Sequence, residues 1–542
     1  MCPPRCFDPL ADGQKIWGIS CQLYTLRSER NFGVGDFGDL RELVQQAAAV
    51  KADFIGLNPL HAPCEDSPDA ASPYSPSDRR FINALYIQID AVADYNAPSV
   101  QAWLENPTQK KELQRLRQLA HIDYDAVNHF KYHCLELMYD HFCEQDLAAD
   151  SLRAQQFQNF VDDKRAALQE FAAYECHHNR YPSRFGKDTR FYCYLQWLAF
   201  GQLDTCQRLA ADNGMRSGLL GDLAVGSVSG GCEVQTNQHL YLTGATIGAP
   251  PDPIALSGQD WGLPVLNPLA MRKSNYRHFI GLLQANMKSY GALRIDHAMA
   301  LMRLWWCLPA EHDSERSGVY VYYPIDDLMA LLRLESVRNQ CMVIGEDLGV
   351  VPAEFRQKMA ASGAYSNNLL YFEQHHDQYF KPPHEHQVDA LLMVTNHDVS
   401  TLCDWWDCSD LQRRFDLGLM AGKDDLEAQI QQRRHEKHKL LNWLADSGLL
   451  PGNRSLHEID TAFDHPLCAA IHQASSRTAS KLLLLQLEDL QLMQEPVNIP
   501  GTYRQYPNWR RKQRLNTSDI FASSEAKLVF QLVSEERTRD SR

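Results

Sequence analysis

The chain has 542 residues with 53 basic against 68 acidic side chains, a formal net charge of −15, and an acidic balance without a basic block disfavours nucleic acid and anionic membranes as partners. No run approaches the ~20 apolar residues that span a bilayer, and the start, Met1-Cys2-Pro3-Pro4-Arg5, lacks the apolar core of a signal peptide, so a soluble, cytoplasmic protein acting on a neutral substrate is expected. Fifteen cysteines, odd in number and without a repeated close spacing, argue against a disulfide framework.

In chain order, eight stretches read as buried strands: Trp17–Leu26, Phe54–Leu60, Gly218–Gly226, Gly291–Asp296, Cys341–Glu346, Asn368–Glu373, Ala390–His397 and Lys481–Leu487. Continuous apolar runs of this length suit strands covered on both faces, as in parallel sheets. Helical patterns follow several of them, Phe37–Val50 after the first and Pro352–Ser362 after the fifth, with Pro352 suited to a first helical turn. Eight βα units predict a (β/α)8 barrel, and the surplus over its roughly 250 residues must sit in insertions.

One insertion, about 65–216, has helical periodicity in Lys111–Ala120, His129–Glu144 and Ser151–Tyr174. A second, 232–267, carries Gly-Ala-Pro-Pro-Asp-Pro and Gly-Gln-Asp-Trp-Gly-Leu-Pro and reads as an irregular, shaped loop near the site. A third, 409–479, is again helical, as is the charged tail after Ser518. The expected organisation is one catalytic barrel over 1–542 with these three insertions.

Three of the strands end at carboxylates, Asp296, Glu346 and Asp398, and in such a barrel the C-terminal strand ends face one shared site. Retaining glycosidic chemistry needs one ionised carboxylate to attack the sugar and a second, protonated one to serve the departing oxygen. Asp296 suits the nucleophile, because Arg294 two residues earlier projects to the same face and keeps it charged. His297 adds a donor for sugar hydroxyls. Glu346, between Gly345 and Gly349, suits the acid/base, with Asp347 facing elsewhere or capping the following helix. Asp398, behind His397, is the third carboxylate. Singly, each has a plainer reading as a structural ion pair, a cap or a turn residue; only together do they favour catalysis. Tyr24, Tyr74, Trp261, Trp305, Trp306 and Asn498 are candidate sugar platforms and amides, of which Trp261 stands out because its loop is otherwise rich in Gly and Pro. Cys403 with Cys408, and Cys176 beside His177 and His178, lack the second half of a metal site.

These segments resemble, nearly end to end, the amylomaltases or 4-alpha-glucanotransferases of glycoside hydrolase family 77. The motifs are Leu26-Arg27-Ser28 with Gly33-Val34-Gly35-Asp36-Phe37-Gly38-Asp39-Leu40, Ser72-Pro73-Tyr74-Ser75-Pro76, Gly221-Asp222-Leu223-Ala224-Val225-Gly226 and Gly248-Ala249-Pro250-Pro251-Asp252. They continue through Gly258-Gln259-Asp260-Trp261-Gly262, Arg294-Ile295-Asp296-His297, Gly345-Glu346-Asp347-Leu348-Gly349, His397-Asp398, Asn498-Ile499-Pro500-Gly501-Thr502 and Asn508-Trp509-Arg510. The chain looks most like the long bacterial type, without the N-terminal domain that precedes the barrel there.

The resemblance implies an alpha-retaining enzyme with Asp296 as nucleophile, Glu346 as acid/base and Asp398 as transition-state stabiliser. Tyr74, Asp252, Trp261, Arg294, His297, His397 and Asn498 would bind substrate. It implies no metal or organic cofactor. The partners would be malto-oligosaccharides, glucose and other alpha-1,4-glucans, with the oligomeric state unspecified. Alternatives are an alpha-1,4-glucan hydrolase or a catalytically impaired glucan-binding protein. Two departures stand out. The family's Thr-His-Asp-Leu-Pro-Thr is here Asn396-His397-Asp398-Val399-Ser400-Thr401, which alters the turn that aims the acid. A family Glu followed two residues later by Trp is here Glu233-Val234-Gln235, which suggests a lost acceptor contact.

Overall fold

A computed structural model describes residues 2–10, 13–64, 71–250, 258–309, 317–375, 379–452 and 454–539. Eight parallel strands close into a barrel: β1 (Ile16–Cys21), β2 (Phe54–Leu57), β3 (Gly218–Leu223), β4 (Ala292–Ile295), β5 (Met342–Glu346), β6 (Tyr365–Leu369), β7 (Ala390–Met393) and β8 (Leu482–Gln486). Each strand pairs with its sequence neighbours, and β1 closes the ring on β8, Ile16 opposite Leu482.

Side chains alternate along these strands, so every second residue points into the barrel. The interior cluster joins Ile16, Phe54, Leu220, Ala292, Met342, Ile344, Tyr365, Leu369, Leu391, Met393, Leu482 and Leu484. Continuing the same alternation carries Leu220 to Asp222, Ala292 to Arg294 and Asp296, Met342 and Ile344 to Glu346, and Tyr365 to Asn367. The apolar floor of the barrel therefore turns polar at one rim by register alone. Outward-facing residues such as Ile19, Ile55, Leu219 and Leu293 pack with the surrounding helices in a second, larger core.

The sixth strand departs from expectation. Asn368–Glu373 was the anticipated strand because Leu369-Leu370-Tyr371-Phe372 is the apolar run, yet the strand is Tyr365–Leu369 and residues 370–372 form a tight turn. Its Ser366 and Asn367 are polar for reasons of bonding, not exposure, since both are buried. Pro352, likewise, is the N-cap of helix Ala353–Ser362 and stands one residue outside its first turn.

Between β2 and β3 lie a short hairpin, His61–Ala62 with Asp78–Ile82, and helices Pro98–Leu104, Pro107–Gln118, Tyr124–Phe142, Leu152–His178 and Thr189–Asp212. Asn106, Asp123, Ser151 and Asp188 cap four of these helices through their side-chain oxygens. Helices Ser409–Asp416, Lys423–Asp446 and His465–Ser476 follow β7.

Within 232–267, expected to be irregular, the described residues include a short helix, Cys232–Thr236, and two strands, and residues 251–257 lie outside the described residues. Tyr241–Ala249 and Gln259–Leu266 pair antiparallel, and Arg303–Cys307 with Gly318–Tyr322 extends them to four strands. Pro264 is tolerated because Gln259–Leu266 is an edge strand of that sheet. Among the described residues no helix is long and apolar enough to cross a membrane.

Candidate active site

Arg294 organises the rim. Its side chain is 7% exposed, and Nη1 donates to both oxygens of Asp222 at 2.8 and 2.9 Å and to Asp296 Oδ1 at 3.2 Å, while Nε donates to Asn367 Oδ1 at 3.0 Å. One fixed cation thus holds two carboxylates from neighbouring strands. Burial pushes the Asp296 carboxyl up to about 6, with Asp222, Glu346 and Asp398 adding like-charge repulsion and Arg294 opposing the rise.

His297 follows with φ of 47°, a left-handed backbone uncommon outside glycine. That conformation turns its N–H toward Glu346, which accepts it on Oε2 at 3.0 Å and accepts Leu348 N on Oε1 at 2.7 Å. The two donors and Arg294 favour the ionised form, yet burial outweighs them and holds the Glu346 carboxyl above the ordinary glutamate range. Burial lowers the His297 imidazole, so it is neutral near pH 7. Asp347 faces away and is not a helix cap: it accepts Ser366 Oγ and Asn367 N at 3.0 and 3.1 Å, tying β5 to β6.

Asp398 stands at the open side, its side chain 49% exposed. Its turn is an Asx-turn in which Asn396 Oδ1 accepts the backbone N–H groups of Asp398 and Val399 at 2.9 and 3.2 Å. The asparagine that departs from the family sequence therefore supplies the turn's own scaffold. Partial desolvation by the surrounding rim opposes ionisation of Asp398, but His397, 3.1 Å away through Nε2, and Asn498 Nδ2 at 3.3 Å outweigh it and hold the carboxyl below the usual aspartate value. Burial likewise opposes protonation of His397, and Asp398 reverses the sign.

Tyr74 completes the floor. Its hydroxyl donates to Asp222 Oδ2 at 2.7 Å, and its ring stacks on His397 with centroids 4.7 Å apart and packs on Trp509 at 5.6 Å. Trp261, on the added sheet, meets His297 edge to face at 5.1 Å, with its indole N–H given to Gln259. The structure thus joins Asp296, Glu346, Asp398, Tyr74, Trp261, Arg294, His297, His397 and Asn498 in one network of contacts. Asp252 lies outside the described residues.

Other expected platforms sit elsewhere. Tyr24 is buried in the core, Trp305 packs on Tyr320, and Trp306 donates to Tyr323. Glu233 is no exposed contact: it is fully buried against Arg79 and also receives Ser227 Oγ and Tyr241 Oη, with His278 Nε2 at 2.9 Å. Sequence reading gave no role to Asp222, Asn367 or Trp509. Asp222 had a usable signal, a lone carboxylate at the end of an apolar strand; Asn367 had none, because its strand was misplaced.

Among the described residues no group of three or more His, Cys, Asp or Glu is arranged to hold a metal ion, and all fifteen cysteines are free thiols. What the rim can do is present two carboxyls held above their ordinary values, Asp296 and Glu346, beside hydrogen-bonding groups suited to a polar, neutral ligand.

Residues 21–185 and 177–517 match a family model described as 4-alpha-glucanotransferase, glycosyl hydrolase family 77. A 4-alpha-glucanotransferase of Haemophilus influenzae is 35% identical over 561 residues, covering 98% of this chain and 80% of its own. One of Mycobacterium tuberculosis is 30% identical over 567 residues, covering 97% and 76%. The crystal structure of amylomaltase from Corynebacterium glutamicum superposes with a TM-score of 0.89 at 27% identity, covering 98% of this chain and 77% of that one. Amylomaltase from Streptococcus agalactiae in complex with acarbose shares the fold, with a TM-score of 0.75 at 18% identity, covering 98% of this chain and all of that one.

Proposed function

This chain belongs to the 4-alpha-glucanotransferase family, glycoside hydrolase family 77, and from that premise we propose how its own residues carry the reaction. The enzyme transfers a segment of an alpha-1,4-glucan to a new acceptor. In the first step the Asp296 carboxylate attacks the anomeric carbon, the bond to the leaving O4 breaks, and the Glu346 proton passes to that oxygen. In the second, Glu346 takes the proton of an acceptor 4-hydroxyl, whose oxygen displaces Asp296 and restores the original anomer. Asp398 and His397 hold ring hydroxyls more tightly as positive charge grows on the sugar. Tyr74, Arg294 and Asn498 keep that geometry, His297 and Trp261 flank it, and Asp252 is part of the proposed binding set on the strength of its motif. Glucose and malto-oligosaccharides are the acceptors in this reading.

The observation that supports it best is the single network running from Arg294 to Asp296 and, through the His297 amide, from the nucleophile's neighbour to Glu346. A 5-fluoroglucosyl fluoride, which forms the covalent intermediate faster than it is released, tests it: mass spectrometry should find the label on the peptide containing Asp296, and a label on any other residue would refute the assignment. A cytoplasmic location belongs to the same proposal, because an odd set of scattered cysteines suits a reducing compartment. Recovery in a secreted fraction would contradict that.

A further inference from the structure

Asp398 is carried by a turn, and a turn aims a side chain only if its two feet are fixed. The turn leaves β7 through Thr395 and enters helix Leu402–Asp407 after Thr401. One side chain from a different part of the barrel grips both feet. Asp489, in the short helix Leu487–Leu490 that follows β8, accepts Thr395 Oγ1 on Oδ2 at 2.5 Å and Leu402 N on Oδ1 at 2.8 Å. Thr401 adds a third tie by donating its hydroxyl to Met493 O, four residues after Asp489. Asp489 and Thr395 are 0% and 1% exposed, so Asp489 has no access to substrate and these bonds are made out of water, where they are stiffest.

We propose that Asp489 is a positioning residue for glucan transfer: by holding Thr395 and the Leu402 amide with separate oxygens, it sets the spacing of the turn's feet and so aims His397 and Asp398 at the glucosyl ring. The inference rests on the reading of Asp398 as the group that stabilises the transition state. A carboxylate is suited to this task because both oxygens accept. An asparagine can keep both contacts, its oxygen accepting from Leu402 N and its N–H2 donating to Thr395 Oγ1, so it is a conservative control, whereas an alanine frees both feet. A misplacement of about 1 Å in a catalytic group costs on the order of 100-fold in rate, so a small opening is enough to register.

The test is a double-mutant cycle on maltotriose. Thr395→Val removes one grip while leaving every substrate-facing group in place, and should lower kcat roughly tenfold or more while KM moves less than about twofold. Asp489→Ala, which removes both grips, should do at least as much; if it does not fold, Thr395→Val carries the test. In an Asp398→Asn background the loss from Thr395→Val should shrink severalfold, because the grip acts through the carboxylate that is gone. Full activity of folded Thr395→Val, or the same fold-loss in both backgrounds, overturns the clamp while leaving Asp398 in its role. A fully active Asp398→Asn enzyme overturns the clamp and its premise together.

Discussion

Asp296 and Asp398 are the same residue type on the same rim, yet their surroundings push them apart: the first titrates near 6 and the second below the usual aspartate range. This separation predicts the pH profile. Attack requires ionised Asp296, so kcat/KM should fall as pH drops through about 6. Proton donation requires protonated Glu346, whose carboxyl is raised, so the rate should fall again as pH rises past that raised value. A flat rate down to pH about 4 would contradict the assignment of the acid limb. Asp296→Asn should remove covalent chemistry and several powers of ten in turnover, about 1.4 kcal/mol per tenfold, in a folded protein; near-normal turnover would exclude Asp296 as nucleophile. Glu346→Gln should be nearly inactive on maltotriose but far less impaired on a glucosyl fluoride, whose departure needs little proton help. Equal impairment on both donors would assign Glu346 to positioning alone. At this scale the sequence was readable at Asp296, Glu346 and Asp398, where a carboxylate closes an apolar run, though Asp222 carried the same signal without being given a role. It was unreadable at Asn367, whose polarity serves Arg294 and disguised its own strand, and at Asp489, whose partners lie 87 and 94 positions away.

Among the elements, the added four-stranded sheet carries the clearest consequence. Strands Tyr241–Ala249 and Gln259–Leu266 deliver Trp261 against His297, where it can orient an acceptor and limit water. Trp261→Ala should raise the ratio of hydrolysis to transfer with the carboxylates unchanged; the measurement is reducing-end gain against glucose transferred, and an unaltered ratio would remove this role. The base of the sheet is anchored differently. Glu233 collects Arg79, Ser227, Tyr241 and His278 in a fully buried cluster, so Glu233→Ala strands an uncompensated arginine and should cost about 3–5 kcal/mol in denaturant unfolding. A loss under about 1 kcal/mol would mean that water or a shifted partner neutralises Arg79. The Pro and Gly content of 232–267 suggested irregularity. Over Gln259–Leu266 it failed as a signal because an edge strand accepts Pro264 and bulges absorb the mismatch with Tyr241–Ala249.

For the whole molecule, the eightfold alternation was legible because the barrel strands other than β6 are mainly apolar on both faces, inward to their neighbours across the barrel and outward to helices. The rim's chemistry follows from the same register, since the residues that end the inward rows are Asp222, Asp296 and Glu346. Legibility stopped at long-range ties: the contact of Tyr74 with Asp222 and of Asn498 with Asp398 spans 148 and 100 positions, and no local pattern encodes such a meeting. The central claim is that this rim passes a glucosyl unit to sugar in preference to water. Chromatography of products from pure maltotriose tests it most directly. Glucose should appear together with chains longer than maltotriose, with no matching rise in total reducing ends; glucose and maltose alone, with reducing ends rising in step, would contradict the account.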